Sequence, residues 1–316
     1  MKQKKCIVTG AAGFIGSHIA QSLLDEGASK VTIIDNMTTG NVENLKELDH
    51  DRIELICADI TETDLNHIFE GHDYVFHEAA LISVPESIQK PDETNKVNIE
   101  GSFKVLKAAC QSNIKKVISA SSAAVYGETE VLPNSEDLPL NPLSPYAVSK
   151  SALELYSYTF NQTYNLPTAC LRYFNVFGPR QNVDSAYSGV IPKFIMALLN
   201  DERPIIFGDG NQTRDFIYVK NIAKANIQIA KSDVTGVYNI AHGKQTSIND
   251  LLHQICDLMG YDFNPVYEKS QVGDIRHSVA DIAKAENAFG FKSEHDFKEE
   301  LKETIDYFVK KFDDDN

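Results

Sequence analysis

Residues 6–16 read Cys6-Ile7-Val8-Thr9-Gly10-Ala11-Ala12-Gly13-Phe14-Ile15-Gly16. A short apolar run ends in glycines spaced Gly-x-x-Gly-x-x-Gly, and Ile15, Ile19 and Leu23 then recur at helical intervals. The stretch predicts a buried strand, a tight glycine turn and the opening of a helix. Glycines suit such a turn because it must bend sharply, let its backbone approach a phosphate, and pack helix closely on strand. The first N–H groups of the helix and its positive dipole end would then face the anion. A second β-like run, Lys30–Ile34, is followed by Asp35, 19 residues after Gly16. A carboxylate there accepts hydrogen bonds from the ribose hydroxyls of a dinucleotide and repels a 2′-phosphate, which points to NAD rather than NADP.

Outward from this stretch the first half keeps alternating. Short β-like runs at Ile53–Cys57, Tyr74–His77 and Lys116–Ser119 are separated by segments with helical spacing, such as Asn98 to Cys110. Strands that are apolar throughout are buried on both faces, the habit of a parallel sheet covered by helices. The alternation predicts right-handed βαβ units and an α/β fold, a doubly wound parallel sheet of Rossmann type. After about residue 175, Gly and Pro punctuate the pattern (Gly178, Pro179, Gly189, Pro192, Pro204, Gly208, Gly210). A smaller C-terminal α/β lobe is expected there. Residues 1–175 are read as the NAD-binding domain and 176–316 as mainly a substrate lobe, with 219–239 able to return to the first. Asp59 and Ile60, after the third strand, are placed to meet an adenine ring, and Ala79, Ala80 and Leu81, after the fourth, to line the cofactor.

The chain has 316 residues, 42% of them hydrophobic and 24% charged, with a formal net charge of −15. That composition excludes a largely disordered chain, and no apolar run approaches the roughly 18–20 residues needed to cross a bilayer. The acidic excess argues against a nucleic-acid partner, whose phosphates must meet a basic surface. Five scattered cysteines without a Cys-x-x-Cys pair read as buried thiols of a reducing cytoplasm, and nine histidines without short paired spacing give no metal site. The start of the chain shows neither a secretory apolar core nor a cleavage site, so a cytoplasmic location is expected.

The fifth β-run leads into Ser121-Ser122-Ala123-Ala124, at the carboxyl edge of the sheet where ligands bind. Further on, Ser144-Pro145-Tyr146-Ala147-Val148-Ser149-Lys150 opens a long helix. Tyr146 and Lys150 are one turn apart and share a face. An ammonium beside a phenol favours the phenolate and lowers its proton affinity toward the working pH. A tyrosine so tuned can take a proton from a sugar hydroxyl while hydride leaves the same carbon, with Ser122 donating or relaying a hydrogen bond.

These residues together resemble the extended short-chain dehydrogenase/reductases, and within them the NAD-dependent nucleotide-sugar epimerases. The likeness runs from about Lys5 to about Phe312. It includes the run Leu171 to Pro179, Val190 to Phe194, Gly208-Asp209-Gly210, Arg214-Asp215-Phe216 and Gly273-Asp274-Ile275-Arg276-His277-Ser278. The resemblance is nearest to UDP-N-acetylglucosamine and UDP-glucose 4-epimerases. It implies that Asn36, Asn98 and Tyr173 join the cofactor set, and that a UDP-sugar lies between the lobes. Asn175 would hold a phosphate oxygen; Gly189, Val190 and Phe194 would line the nucleotide pocket; Ile205 and Phe207 would flank uracil. Arg214 would meet the diphosphate with its guanidinium fork, and Ser83, Asp274, Arg276 and Ser278 complete the implied substrate set. Ser278 stands where a bulky side chain would limit the C2 substituent.

Two departures from the family pattern are visible. Many relatives carry Arg two residues before the Gly-Asp pair, where this chain has Gln271. The 4,6-dehydratases place Asp and Glu after the catalytic hydroxyl residue, and the decarboxylases keep the Glu; Ala123 and Ala124 cannot move a proton, which disfavours both reactions. The resemblance thus implies an isomerase that interconverts C4 epimers of a UDP-hexose as a homodimer. The alternatives are an enzyme that releases a ketosugar or acts on a UDP-uronic acid, and an idle NAD-binding module, against which the complete Ser122, Tyr146, Lys150 set weighs.

Overall fold

A computed structural model describes residues 1–183, 189–270, 275–293 and 296–315. The strands are β1 (Lys5–Thr9), β2 (Lys30–Asp35), β3 (Ile53–Cys57), β4 (Tyr74–His77), β5 (Lys116–Ser122), β6 (Thr168–Tyr173), β7 (Asn175–Phe177), β8 (Ile205–Phe207), β9 (Thr213–Arg214), β10 (Phe216–Tyr218), β11 (Gly236–Ile240), β12 (Thr246–Ser247) and β13 (Val266–Glu268). The α-helices are α1 (Phe14–Asp25), α2 (Leu65–Phe69), α3 (Val84–Gln89), α4 (Pro91–Thr94), α5 (Ser102–Gln111), α6 (Pro145–Tyr164), α7 (Val190–Leu199), α8 (Val219–Lys231), α9 (Ile248–Met259), α10 (Ala283–Phe289) and α11 (Phe297–Asp315).

Seven strands form one parallel sheet in the order β11-β6-β5-β4-β1-β2-β3. The two-residue period of a strand divides its side chains between two cores. Cys6 and Val8 face a core shared with Ile19 and Leu23 of α1 and Ile222, Ile227 and Ile229 of α8. Ile7 faces the opposite core, with Leu65 and Phe69 of α2, Val105 and Leu106 of α5 and Phe160 of α6. Helices this short are marginal alone in water, so these apolar faces hold them, at about 1.5–3 kcal/mol per large buried side chain. The Val219–Asn239 segment contributes α8 to one face of this sheet, and its strand β11 pairs with β6.

A smaller assembly follows, its core made by Phe177, Ile206 and Phe216 from strands, Ile191, Phe194 and Leu198 of α7, Leu251 and Ile255 of α9, and Leu301 and Phe308 of α11. Its strands pair in twos, β7 with β10, β8 with β13 and β9 with β12, and Thr213 of β9 also bridges to His277.

Three local features depart from the sequence reading. β3 lies at the sheet edge, so Leu55 and Cys57 are exposed rather than covered on both faces. All five cysteines are free, three of them buried, with Cys110 half-buried. The helical run around Asn98 begins at Pro91 and passes through a π-helical turn over Asn95–Gly101 before α5. No helix among the described residues is long and apolar enough to cross a membrane.

Candidate active site

The glycine loop closes between β1 and α1. Gly10 has φ +71°, and a Cβ there would lie 2.7 Å from the Ala79 nitrogen. A Cβ on Gly16 would lie 2.3 Å from the Gly10 carbonyl oxygen, so the helix can approach the turn this closely only without a side chain. Gly13 caps α1 and brings no side-chain acceptor. The N–H groups of Phe14, Ile15 and Gly16 lie in the first turn, where the helix itself supplies no acceptor. Phe14 and Ile15 open that turn half-buried, and Ile15 packs against the cores of both lobes.

Asp35 ends β2 buried. Its Oδ2 accepts the Ala12 N–H at 3.0 Å and its Oδ1 the Met37 N–H at 2.9 Å. Two lone pairs on each oxygen leave acceptor capacity beyond these bonds. Gly40, which the sequence reading passed over, covers the same carboxylate: a Cβ there would sit 2.8 Å from Oδ1. Asn36 donates to the Asp59 carboxylate at 2.9 Å, and Asp59 also accepts the Thr61 N–H and hydroxyl, each at 2.7 Å. Ile60 is buried in the core against Gly101. Ala79, Ala80 and Leu81 follow β4 half-exposed. A bare glycine cradle, free helical N–H groups and an oriented carboxylate at the end of β2 fit the pyrophosphate and ribose of NAD.

Asn98 spends its amide on protein. It accepts the Leu81 N–H at 2.8 Å, donates to the Leu81 carbonyl at 2.9 Å and donates to Ser149 Oγ at 3.0 Å. The π-turn aims this clamp at Leu81, and a single extra residue in a helix leaves no mark in apolar spacing. Behind it Ser102 Oγ donates to the Asn98 carbonyl at 2.6 Å and lies 2.8 Å from His77 Nε2, while His77 Nδ1 lies 2.8 Å from the Thr9 hydroxyl. Ser102 has given up its proton, so His77 must donate from Nε2 and accept from Thr9 at Nδ1. Thr9 in turn accepts the Ala79 N–H at 3.3 Å. One neutral chain thus ties the end of β1 to the π-turn.

Ser144 caps α6 by accepting the Ala147 N–H at 3.1 Å, and Pro145 takes the first helical position. This sets Tyr146 and Lys150 at the carboxyl edge of the sheet, where Ser122 ends β5 close enough for its hydroxyl to lower the proton affinity of the Tyr146 phenol. The Lys150 ammonium donates to the Ala120 carbonyl at 2.8 Å and stands 5.8 Å from the Tyr146 ring centre. Burial pushes the Tyr146 phenol above its ordinary value; Ser122 pulls it back and the charge of Glu78 pushes it up. Burial also lowers the Lys150 ammonium. The spacing on the helix predicts a phenol depressed by Lys150. The structure shows the opposite shift, because desolvation outweighs an ammonium that is directed at a backbone carbonyl. Tyr173 is committed below the site: its hydroxyl donates to Glu78 at 3.0 Å and accepts from Asn226 at 2.8 Å.

The residues assigned to the substrate run from Ser83 in the first lobe through the second. Ser83 caps α3, accepting the Glu86 N–H at 3.1 Å. Asn175 starts β7 exposed, and its N–H donates to the Asp215 carbonyl at 3.0 Å. Gly189 and Val190 open α7, but Phe194 is buried in the second core, where it turns away from open space. Ile205 and Phe207 share the outward face of β8, with Ile206 turned inward. Arg214 is half-buried and donates to its neighbour's carbonyl, Thr213 O, at 2.8 Å. Arg276 makes a two-pronged ion pair with Asp209, both bonds 2.8 Å, which engages its guanidinium on protein. The Ser278 N–H donates to Thr213 O at 3.2 Å. Asp274 and Gln271 lie outside the described residues. Among those described, no group of three His, Cys, Asp or Glu could hold a metal ion.

Sequence comparison places this site among known proteins. The model of the NAD dependent epimerase/dehydratase family matches residues 6–241. The chain is similar to a UDP-N-acetylglucosamine 4-epimerase from Methanobrevibacter ruminantium, solved with UDP-N-acetylmuramic acid. That likeness has a TM-score of 0.96 and 49% identity, covering 98% of this chain and all of that one (100%). It is similar to the UDP-glucose 4-epimerase of Thermotoga maritima, solved with UDP-glucose, with a TM-score of 0.92, 36% identity, and 98% and 99% of the two chains covered. A Methanocaldococcus jannaschii protein named provisionally as a UDP-glucose 4-epimerase is 41% identical over 304 residues, 95% of this chain and 97% of that one.

Proposed function

This chain belongs to the NAD-dependent epimerase/dehydratase family, and we propose that it inverts C4 of a UDP-hexose, with UDP-N-acetylglucosamine and UDP-N-acetylgalactosamine as the favoured pair and UDP-glucose and UDP-galactose as a second. It is an isomerase, and its cofactor is NAD. The observation that carries the reading is one constellation: Ser122 close to the Tyr146 phenol and lowering its proton affinity, Lys150 one turn along α6, and two alanines after Ser122.

When bound, NAD supplies a hydride acceptor that later becomes the donor. Tyr146 takes the proton of the C4 hydroxyl as the hydride departs, and returns it when the turned 4-keto sugar is reduced on its other face. Ser122 hydrogen-bonds the same oxygen and steadies its developing charge. Lys150 lends positive charge to the phenolate. Gly10, Gly13, Gly16 and Asp35 hold the cofactor, and Asn98 fixes the wall at Leu81. Alanines at 123 and 124 leave the C5 and C6 positions of the sugar without a side-chain acid or base. The side chain of Ser278 is small enough for an N-acetyl group at C2.

Asn175, Arg214 and the outward face of Ile205 and Phe207 form the UDP side of the reading. Arg276 joins it only by exchanging Asp209 for phosphate. A second copy of the chain completes the proposal: Leu155 and Tyr158 of α6 are 62% and 65% exposed, and Tyr156 of the same helix, also exposed, packs its ring against exposed Phe103 of α5. Such helices pair across a two-fold axis, and light scattering should give a dimer's mass.

The test is a panel of UDP-sugars incubated with the purified protein, without added NAD, and read by NMR. The proposal requires C4 epimers of the acetylated sugar. Tyr146→Phe should slow their formation by about 10²–10⁴ while UDP-sugar binding is kept. No epimer of any sugar in the panel, or a Phe variant that turns over normally, would reject it.

A further inference from the structure

Asp215 joins β9 to β10 and is fully buried (0% exposed) although it carries a carboxylate. A carboxylate taken out of water must find donors inside the protein. Asp215 finds them on two segments distant in sequence. Its Oδ1 accepts the His242 N–H at 2.9 Å, and its Oδ2 accepts the Gly243 N–H at 3.0 Å and the Ala280 N–H at 3.1 Å. Its own backbone carbonyl accepts the Asn175 N–H at 3.0 Å. His242 and Gly243 lie just past the end of β11, and Asn175 opens β7.

These bonds follow a strand register. Thr213 bridges His277 in parallel: the Thr213 N–H donates to the Arg276 carbonyl at 3.0 Å, and the Ser278 N–H donates to the Thr213 carbonyl at 3.2 Å. Two residues on, a parallel ladder would bring the Ala280 N–H to the backbone carbonyl of Asp215. That carbonyl is turned to Asn175, and the carboxylate takes the Ala280 N–H in its place. The chain can therefore leave the segment 276–280 for β7 without a buried donor losing its partner. Three segments meet on this one residue: the start of β7, the exit of β11, and 276–280. Two of them carry residues assigned above to the UDP-sugar, Asn175 and Ser278, and the third such residue, Arg214, directly precedes Asp215.

We propose that Asp215 is a positioning residue for the UDP side of the site: its carboxylate fixes Asn175, Arg214 and the Ser278 segment relative to one another and, being fully buried, touches no ligand itself. The inference rests on the reading of those three residues as facing the substrate. Burial pushes the Asp215 carboxyl up to about 6, and the N–H groups of Ala280, His242, Gly243 and Lys244 draw it down. At pH 7 it is ionised, and hydrogen bonds to an ionised acceptor are about twice as strong as neutral ones. Asp215→Asn keeps the volume but has a single acceptor oxygen, and its NH₂ group would face a backbone N–H. The amide must therefore give up the bond to His242 or the bonds to Gly243 and Ala280.

The experiment is a calorimetric titration of UDP into the protein as purified and into its Asp215→Asn variant at pH 7, with the kinetics of the acetylated UDP-sugar alongside. The Kd of UDP should rise by at least about tenfold, since a misplacement of about 1 Å can cost that much or more. KM should rise with it while kcat stays within about threefold, because binding common to ground and transition states is what is lost. NAD content should hold, since the glycine loop and Asp35 are untouched. A purely structural role would lower the unfolding midpoint and leave Kd and KM where they were. Should the Asn variant fail to fold, hydrogen exchange of the His242, Gly243 and Ala280 amides in the wild type decides the question, and UDP must slow all three. A wild-type Kd in the Asn variant, or exchange at these amides indifferent to UDP, would overturn the proposal alone. UDP that fails to bind the wild type would reject the nucleotide-sugar reading, and the proposal with it, so the two failures are told apart.

Discussion

Removing the Arg172 guanidinium should unfold this protein more readily than any comparable surface change. Arg172 on β6 and Glu154 on α6 are 4% and 5% exposed, and they meet at 2.9 Å (Nε to Oε1) and 2.8 Å (Nη2 to Oε2). Ser121 donates to Glu154 Oε1 at 2.6 Å, and the guanidinium lies 4.7 Å above the Tyr126 ring. Arg172→Met deletes two of the three donors to the carboxylate and leaves its charge buried. Hydrogen bonds to charged groups are worth about 1.5–3 kcal/mol each, and breaking a buried pair from one side costs about 3–5 kcal/mol. We expect a loss of about 3–5 kcal/mol for Arg172→Met, and a loss in the same range for Glu154→Leu, which leaves the guanidinium buried. The double variant removes both charges and should cost about 0–2 kcal/mol, so the coupling energy is at least about 4 kcal/mol. Denaturant unfolding of the four proteins at pH 7 reads all three quantities. Single losses below about 1 kcal/mol, or losses that simply add, would refute the argument that the pair is buried beyond the reach of water. Ser122 follows Ser121 directly, so the pair also anchors the strand end that bears the catalytic hydroxyl.

Gly16→Ala would put a Cβ 2.3 Å from the Gly10 carbonyl oxygen, and should cost about 1–3 kcal/mol together with most of the NAD retained on purification. Gly13→Ala, whose Cβ comes no nearer than 3.1 Å, should be milder in both, and equal NAD content in the two variants would contradict the cradle. Burial holds His18 near 4 and His77 near 3, against 6.5 for a free imidazole. Below pH 6.5 the unfolded chain gains protons that the folded chain does not, so stability is complete above that pH and falls by about 1.4 kcal/mol per unit for each ring. His18→Gln should therefore lose about 2 kcal/mol less than wild type between pH 6.5 and 5, measured by urea unfolding; identical pH dependence would remove His18 from the account. Ser278→Tyr should lower kcat/KM for the acetylated sugar far more than for UDP-glucose, and an equal drop would show that this wall is not the gate.

The parallel sheet was legible because buried strands and amphipathic helices write their periods into the sequence. Asp35 and the glycine loop were legible for a related reason, since their spacing is fixed by a strand and a turn. Features made by contacts distant in sequence were not. Asp209 and Arg276 are 67 residues apart, and nothing local marks them as partners. Phe194 looks like a pocket residue within its motif, but the period of α7 turns it into the core. The exposure of Cys57 follows from the edge position of β3, which only the strand order reveals. Asp215 stands in a legible run, Arg214-Asp215-Phe216, but the N–H groups its carboxylate holds at His242 and Ala280 are 27 and 65 residues away.

Epimerisation by this site requires hydride to leave C4 of the sugar and return to the same carbon. UDP-N-acetylglucosamine carrying deuterium at C4 tests it most directly, incubated with the purified protein in ordinary water without added cofactor. The expected product is UDP-N-acetylgalactosamine that still carries its deuterium at C4. Epimer that has lost the label to solvent would contradict it.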